Sequence, residues 1–137
     1  MDDSRSGEET APLFLIFTSR ERRSASVKLV GDLDLTVTAC LLRWAHAFAA
    51  RPVPAVRLDL SGLKFIDVAG LRSLAEACAT LRRSGGLIDV TGQPESLRRL
   101  AALTGIAIPA GRTTSIRNVA LPATRRSEPL DCPRAER

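Results

Sequence analysis

The chain has 137 residues, room for one domain and not two, and its 45% hydrophobic content is ordinary for a folded protein. No apolar run approaches the ~20 residues of a membrane-crossing helix, and with four Phe, one Trp and no Tyr the core has to be built from Leu, Ile, Val and Ala. The net charge of +5 rests on arginine, but much of the excess falls after residue 105 and no basic stripe carries interleaved aromatics, which argues against specific nucleic-acid binding.

Residues 1–11 are polar and run into Ala11-Pro12, the composition of a disordered lead. Leu13 to Phe17 has the length and apolar content of a strand. A polar turn, Glu21-Arg22-Arg23-Ser24, leads to a second strand, Ala25 to Val30, which pairs with the first as a hairpin and stops at Gly31. From Thr36 to about Ala50, Val37, Leu41, Ala45, Phe48 and Ala49 recur at helical steps, with Thr36 as the expected N-cap and Pro52 and Pro54 forbidding continuation. Ala55 to Leu60 is a strand ended by Ser61-Gly62, and Leu63 to Ile66 is a short apolar link. Asp67 can cap a second helix that buries Leu71, Leu74, Ala75, Cys78 and Leu81 and wets Ser73, Glu76, Thr80 and Arg83. Gly85-Gly86 supplies its exit, Leu87 to Val90 is another strand, and Pro94-Glu95 opens a third helix. That helix buries Leu97, Leu100, Ala101 and Leu103 and ends at Gly105.

The predicted order is β-β-α-β-α-β-α. Strands separated by helices imply an α/β fold with a mixed, mostly parallel sheet and helices packed on it. The reading divides the chain into a lead over 1–11, one domain over 12–119 and a disordered basic tail over 120–137. Cys40 and Cys78 fall on helices and Cys132 in the tail, an odd, scattered set that fits idle thiols in a reducing cytoplasm better than a disulfide framework or a zinc site. The acidic start, Met1-Asp2-Asp3, lacks the basic-then-apolar order of a signal peptide, so a cytoplasmic location is expected.

Catalytic apparatus is not legible. The single histidine, His46, lies in mid-helix with no nucleophile motif to serve, and neither a phosphate-binding G-x-x-x-x-G-K-[ST] loop nor a G-x-G-x-x-G turn occurs. Asp32 and Asp34 form a carboxylate pair, but such pairs in loops are turn formers and caps more often than acid/base devices. The expectation is a binding protein with no enzymatic activity, no metal and no cofactor.

Two stretches stand out. One is Gly31-Asp32-Leu33-Asp34-Leu35, between a strand and the first helix. The other is Leu58-Asp59-Leu60-Ser61-Gly62 with Asp67-Val68-Ala69-Gly70-Leu71, running through strand, link and helix N-terminus. Both follow strands of a parallel sheet, so they converge on one rim. In this pattern they resemble the STAS family, the anti-sigma-factor antagonists and the related domain of sulfate transporters. That family carries G-[ED]-L-D before the first helix, D-L-S-G on the next strand and D-S-[SA]-G-L at the start of the second helix. Leu103-Thr104-Gly105-Ile106 is similar to its L-T-G-[LI] ending, and the resemblance spans roughly residues 12–110.

The resemblance implies a STAS-like fold and a regulator that binds an anti-sigma factor or a serine-kinase-like ATPase to control transcription. It implies a docking surface of Asp34, Asp67, Val68, Ala69, Gly70 and Leu71. In the family the kinase phosphorylates the Ser after the Asp of D-S-[SA]-G-L. Here that position is Val68, which has no hydroxyl, so the usual switch is missing; Ser61 is a turn residue, and Ser73 is exposed but more than a helical turn away. Two alternatives stand beside this reading: a phosphorylation-independent subunit of a signalling or lipid-transport assembly, and a small-ligand sensor.

Overall fold

The computed structural model describes residues 14–109 and a strand at 128–131. The expected lead over 1–11 and Cys132 lie outside the described residues. The elements are β1 (Phe14–Arg20), β2 (Ser24–Leu33), a 3-10 turn (Leu35–Val37), α1 (Thr38–Ala49), β3 (Ala55–Ile66), α2 (Val68–Arg83), β4 (Leu87–Thr91), α3 (Glu95–Thr104) and β5 (Glu128–Asp131). They form one mixed sheet in the order β4-β3-β2-β1-β5. β1 pairs antiparallel with β2, while β2–β3 and β3–β4 are parallel. The predicted order is observed, with β5 added after it, and the sheet is mixed as expected but not mostly parallel: among the described residues two of its four pairings are parallel and two, β1–β2 and β1–β5, are antiparallel. No helix among the described residues is long and apolar enough to cross a membrane.

Period-two alternation builds the sheet. Ala25, Val27 and Leu29 of β2 and Val56, Leu58 and Leu60 of β3 are buried, and Ser26, Lys28 and Arg57 between them are not. The buried row joins Leu41, Ala45 and Phe48 of α1, Leu71, Leu74 and Cys78 of α2 and Leu97 of α3 in one core. Burial pushes the Cys78 thiol up to about 12, so it stays protonated and inert. Cys40, by contrast, is disulfide-bonded, so the expectation of idle thiols holds at Cys78 and fails at Cys40.

Several boundaries differ from expectation. Gly31 does not end β2: it takes a positive φ of 111° inside a bulged stretch where the register with β3 shifts, and the strand continues to Leu33. Ser61-Gly62 does not end β3 either. A Cβ at Gly62 would stand 2.9 Å from the Leu29 carbonyl oxygen, so this glycine permits close strand approach, and β3 runs on through the expected link to Ile66. On α2, which packs against α1, Ser73 and Thr80 are buried rather than wet. Leu103 is 77% exposed rather than buried, while Leu100 and Ala101 of the same helix pack partly against the core.

Of the tail over 120–137 that was expected to be disordered, residues 128–131 form β5, antiparallel to β1 with Phe17 opposite Pro129, and the rest lies outside the described residues. Apolar periodicity is no guide here, because an edge strand is held by backbone pairing and tolerates proline. A chain cut back to residue 120 is therefore expected to lose the cover on the β1 edge. It should melt several degrees lower and associate with rising concentration in sedimentation; an unchanged melting temperature and a monomer would show that β5 is dispensable.

Candidate functional site

β2 and β3 both run toward the same end of the sheet, and their register sets Asp32 beside Phe65 and Leu33 beside Ile66. The two sequence stretches therefore meet at one rim. After Leu33 the chain must turn into α1, and Asp34 makes that turn. Its backbone is extended (φ −130°, ψ −173°), and its Oδ1 accepts from the Thr36 N–H at 3.0 Å and from the Thr36 hydroxyl at 2.6 Å. Asp34, not Thr36, is thus the cap, and what it caps is a 3-10 turn that precedes α1.

Asp67 does more than cap α2. Its Oδ1 accepts from the Gly70 N–H at 2.7 Å, and its Oδ2 accepts from the Leu35 N–H at 3.3 Å, across 32 positions of sequence. Its own N–H donates to the Leu33 carbonyl at 3.3 Å. One aspartate thereby ties the β2 loop to the start of α2. Gly70 completes the joint. A Cβ at that position would lie 2.1 Å from the Leu33 carbonyl oxygen, so only glycine lets the helix sit this close to the end of β2.

Three large apolar side chains project from this joint into solvent: Leu35 (67% exposed), Phe65 (51%) and Val68 (37%). Leu35 follows the cap of the 3-10 turn, Phe65 is the last but one residue of β3, beside Asp32, and Val68 opens α2 next to Asp67. All three lie at the same end of the sheet, where Asp34 and Asp67 form a hydrogen-bonded base. Of the six site residues expected from sequence, Asp34 and Asp67 are half-buried ties, Val68 is exposed and Ala69 is half-buried. Gly70 and Leu71 do not reach the surface: Gly70 packs on Leu33 and Leu71 is fully buried in the core. Their place in the site is structural. Leu35 and Phe65 were missing from the sequence reading. The available signal was that Leu35 falls outside the Val37–Leu41–Ala45 stripe and so has no core position.

The remaining hydroxyls are sorted by burial. Ser73 is 4% exposed and donates to the Gly70 carbonyl at 2.9 Å, which corrects the expectation of a wet Ser73, whereas Ser61 is exposed. His46 is exposed in the last turn of α1, at the end of the molecule opposite the rim. Asp67→Ala should cost about 1–2 kcal/mol from the lost cap alone and free the Leu35 amide. The checks are a lower melting temperature and faster hydrogen exchange at Leu35 with Thr36 unchanged; equal exchange in variant and wild type would remove the cross-loop tie.

A hairpin followed by β-α units, with the ends of β2 and β3 gathered at a capped helix start, is the architecture of STAS domains. The family described as "Mlab, STAS domain" matches residues 16–114, and the chain belongs to the STAS family. Among solved structures, it is similar to an anti-sigma factor antagonist from Mycobacterium paratuberculosis, 25% identical over 74% of this chain and 89% of that one, with a TM-score of 0.59. The Bacillus cell fate determinant SpoIIAA in its phosphorylated form shares the fold at 14% identity, 77% and 99% coverage and a TM-score of 0.56. So does the murine anion transporter Solute Carrier 26 family member A9, at 14% identity, 70% coverage of this chain, 19% of that one and a TM-score of 0.54. No curated protein matches the sequence.

Proposed function

We propose that this STAS protein is an anti-sigma-factor-antagonist-like regulator. It docks on an anti-sigma factor or a serine-kinase-like ATPase through the rim, and it does so without a phosphoacceptor at position 68. The observation that carries this reading is the apolar trio Leu35, Phe65 and Val68, held out to solvent by the Asp34 and Asp67 ties. Large exposed apolar groups on a rigid base are what a protein partner buries. The likeness to an anti-sigma factor antagonist supports the choice of partner class. On this reading the protein is not an enzyme, acts in the cytoplasm and controls transcription by competing for the partner.

The test is direct binding between the purified chain and the anti-sigma factors and kinase-like ATPases of its own proteome, with Leu35→Asp and Phe65→Ser as rim variants. One partner bound by wild type and lost in both variants supports the proposal. Binding that survives both would move the interface elsewhere.

A second reading has its own support. The matching family's description names Mlab, and the same fold is found within a transporter. The chain would then be a phosphorylation-independent subunit of a larger assembly, and the same rim variants would abolish its incorporation there.

A further inference from the structure

The end of the molecule opposite the rim has a different character. β2, β3 and β4 begin there, and β1, α1 and α2 end there. This topology gathers Arg20 from the end of β1, Arg22 and Arg23 from the hairpin turn, Arg51 from just past α1, and Arg82 and Arg83 from the last turn of α2. Glu21 stands among them. All but Arg20 are exposed. The acids Asp32, Asp34 and Asp67 lie at the other end, so charge is segregated along the strand direction although the chain total is modest.

A cleft of about 510 Å³ opens at this pole, lined by Arg20, Glu21, Arg22, Arg51, Pro52 and Val53. Arg20 is fully engaged. It lies over the Phe48 ring at 4.1 Å and donates to the carbonyl oxygens of Phe48, at 3.0 Å, and of Arg51. It therefore adds a second donor to the Phe48 carbonyl, which also accepts the Arg51 N–H at 3.2 Å, ties down the chain just past α1 and lines the cleft. Burial, and next the charge of Arg51, hold its guanidinium below the usual range. Arg22, Arg23 and Arg51 make no side-chain hydrogen bond or ion pair among the described residues. Helix dipoles do not neutralise the surplus, because two helix C-termini supply only about one negative charge in all.

We propose that this cleft binds a multiply charged phosphate group, carried by a soluble phosphorylated small molecule or by a phospholipid headgroup. Guanidinium forks on two sides of a concave floor suit the paired oxygens of such a group. The site is independent of the rim, so the protein could engage a partner and a phosphate-bearing ligand at once.

The test uses inorganic pyrophosphate and the full chain. Amide resonances are followed during titration with ionic strength held constant by chloride. Saturable shifts confined to residues 20–23 and 51–53 are expected. The double variant Arg22→Gln/Arg51→Gln, with Arg20 left in place to hold the helix end, should weaken binding by about tenfold or more. Arg98→Gln/Arg99→Gln removes the same charge from the exposed face of α3 and should leave affinity within about twofold, the response expected of a screened, distant charge. Flotation with vesicles containing phosphatidic acid, whose headgroup is a phosphate monoester, against phosphatidylcholine vesicles separates the sources. Pyrophosphate binding without flotation assigns a soluble ligand, and flotation lost in the Arg22/Arg51 variant assigns a headgroup. Failure of both probes, or equal losses in the two double variants, would overturn the site.

Discussion

Val68→Asp is expected to weaken binding to the proposed partner by roughly a hundredfold, with the fold intact. Fully burying a valine contributes about 1.5–3 kcal/mol, of which docking can recover only the part of Val68 that is still 37% exposed. The larger effect is the new carboxylate. An unpaired charge desolvated at an interface costs about 2–5 kcal/mol, and each 1.4 kcal/mol is about tenfold in affinity. In the free protein the same carboxylate sits at the start of α2, where the helix dipole favours it, so thermal stability should hold. Affinity by calorimetry and melting temperature, measured on the same samples, separate the two effects. A variant that still binds as wild type would remove Val68 from the interface. Val68→Ser supplies the hydroxyl that the family motif carries. With a partner that is an active serine kinase, this variant should gain one phosphate by intact mass and release the partner on addition of ATP, while wild type stays bound. Ser73 cannot stand in, because its hydroxyl is buried against the Gly70 carbonyl. ATP-dependent release of wild type with phosphate at Ser61 or a tail serine would mean that the switch was moved, not lost.

Gly70→Ala is expected to be the most damaging single substitution at the rim. In an open helix this change would stabilise by about 1 kcal/mol, since alanine is the better helix former. Here the new methyl carbon would stand 2.1 Å from the Leu33 oxygen and 2.8 Å from the Leu33 carbonyl carbon, both backbone atoms. Leu33 cannot yield: its side chain is fully buried, and its carbonyl accepts the Asp67 amide. The first turn of α2 must lift away, breaking the Asp67 ties and opening the core under Leu71. A cost of about 3 kcal/mol or more follows for overpacking of this severity, which is a fall of about 12–24 °C in melting temperature for a domain of this size. The sign alone decides the matter. A neutral or stabilised Gly70→Ala would show that α2 does not sit against Leu33 as described.

The elements of this fold were legible because their signals are local. Leu41, Ala45 and Phe48 mark one face of α1 whatever packs on it, and the Asp67 cap is written within four residues of its donor, the Gly70 N–H. The two glycines taken as strand ends were misread for a related reason. Gly62 makes room for a neighbouring strand and Gly31 takes a positive φ where the register with β3 shifts, and a single segment carries no trace of its neighbour.

The sequence by itself determined the alternation of strands and helices, the convergence of two motifs at one rim and the absence of a hydroxyl at position 68. All of these follow from residue type and from spacings of a few residues. Only the tertiary structure decided that Asp67 holds Leu35, that Leu35 and Phe65 join Val68 on the surface, that Ser73 and Leu71 face inward, and that arginines from four separate segments share one pole. These are contacts between residues tens of positions apart, and their energies depend on distances that exist only once β2, β3 and α2 have packed.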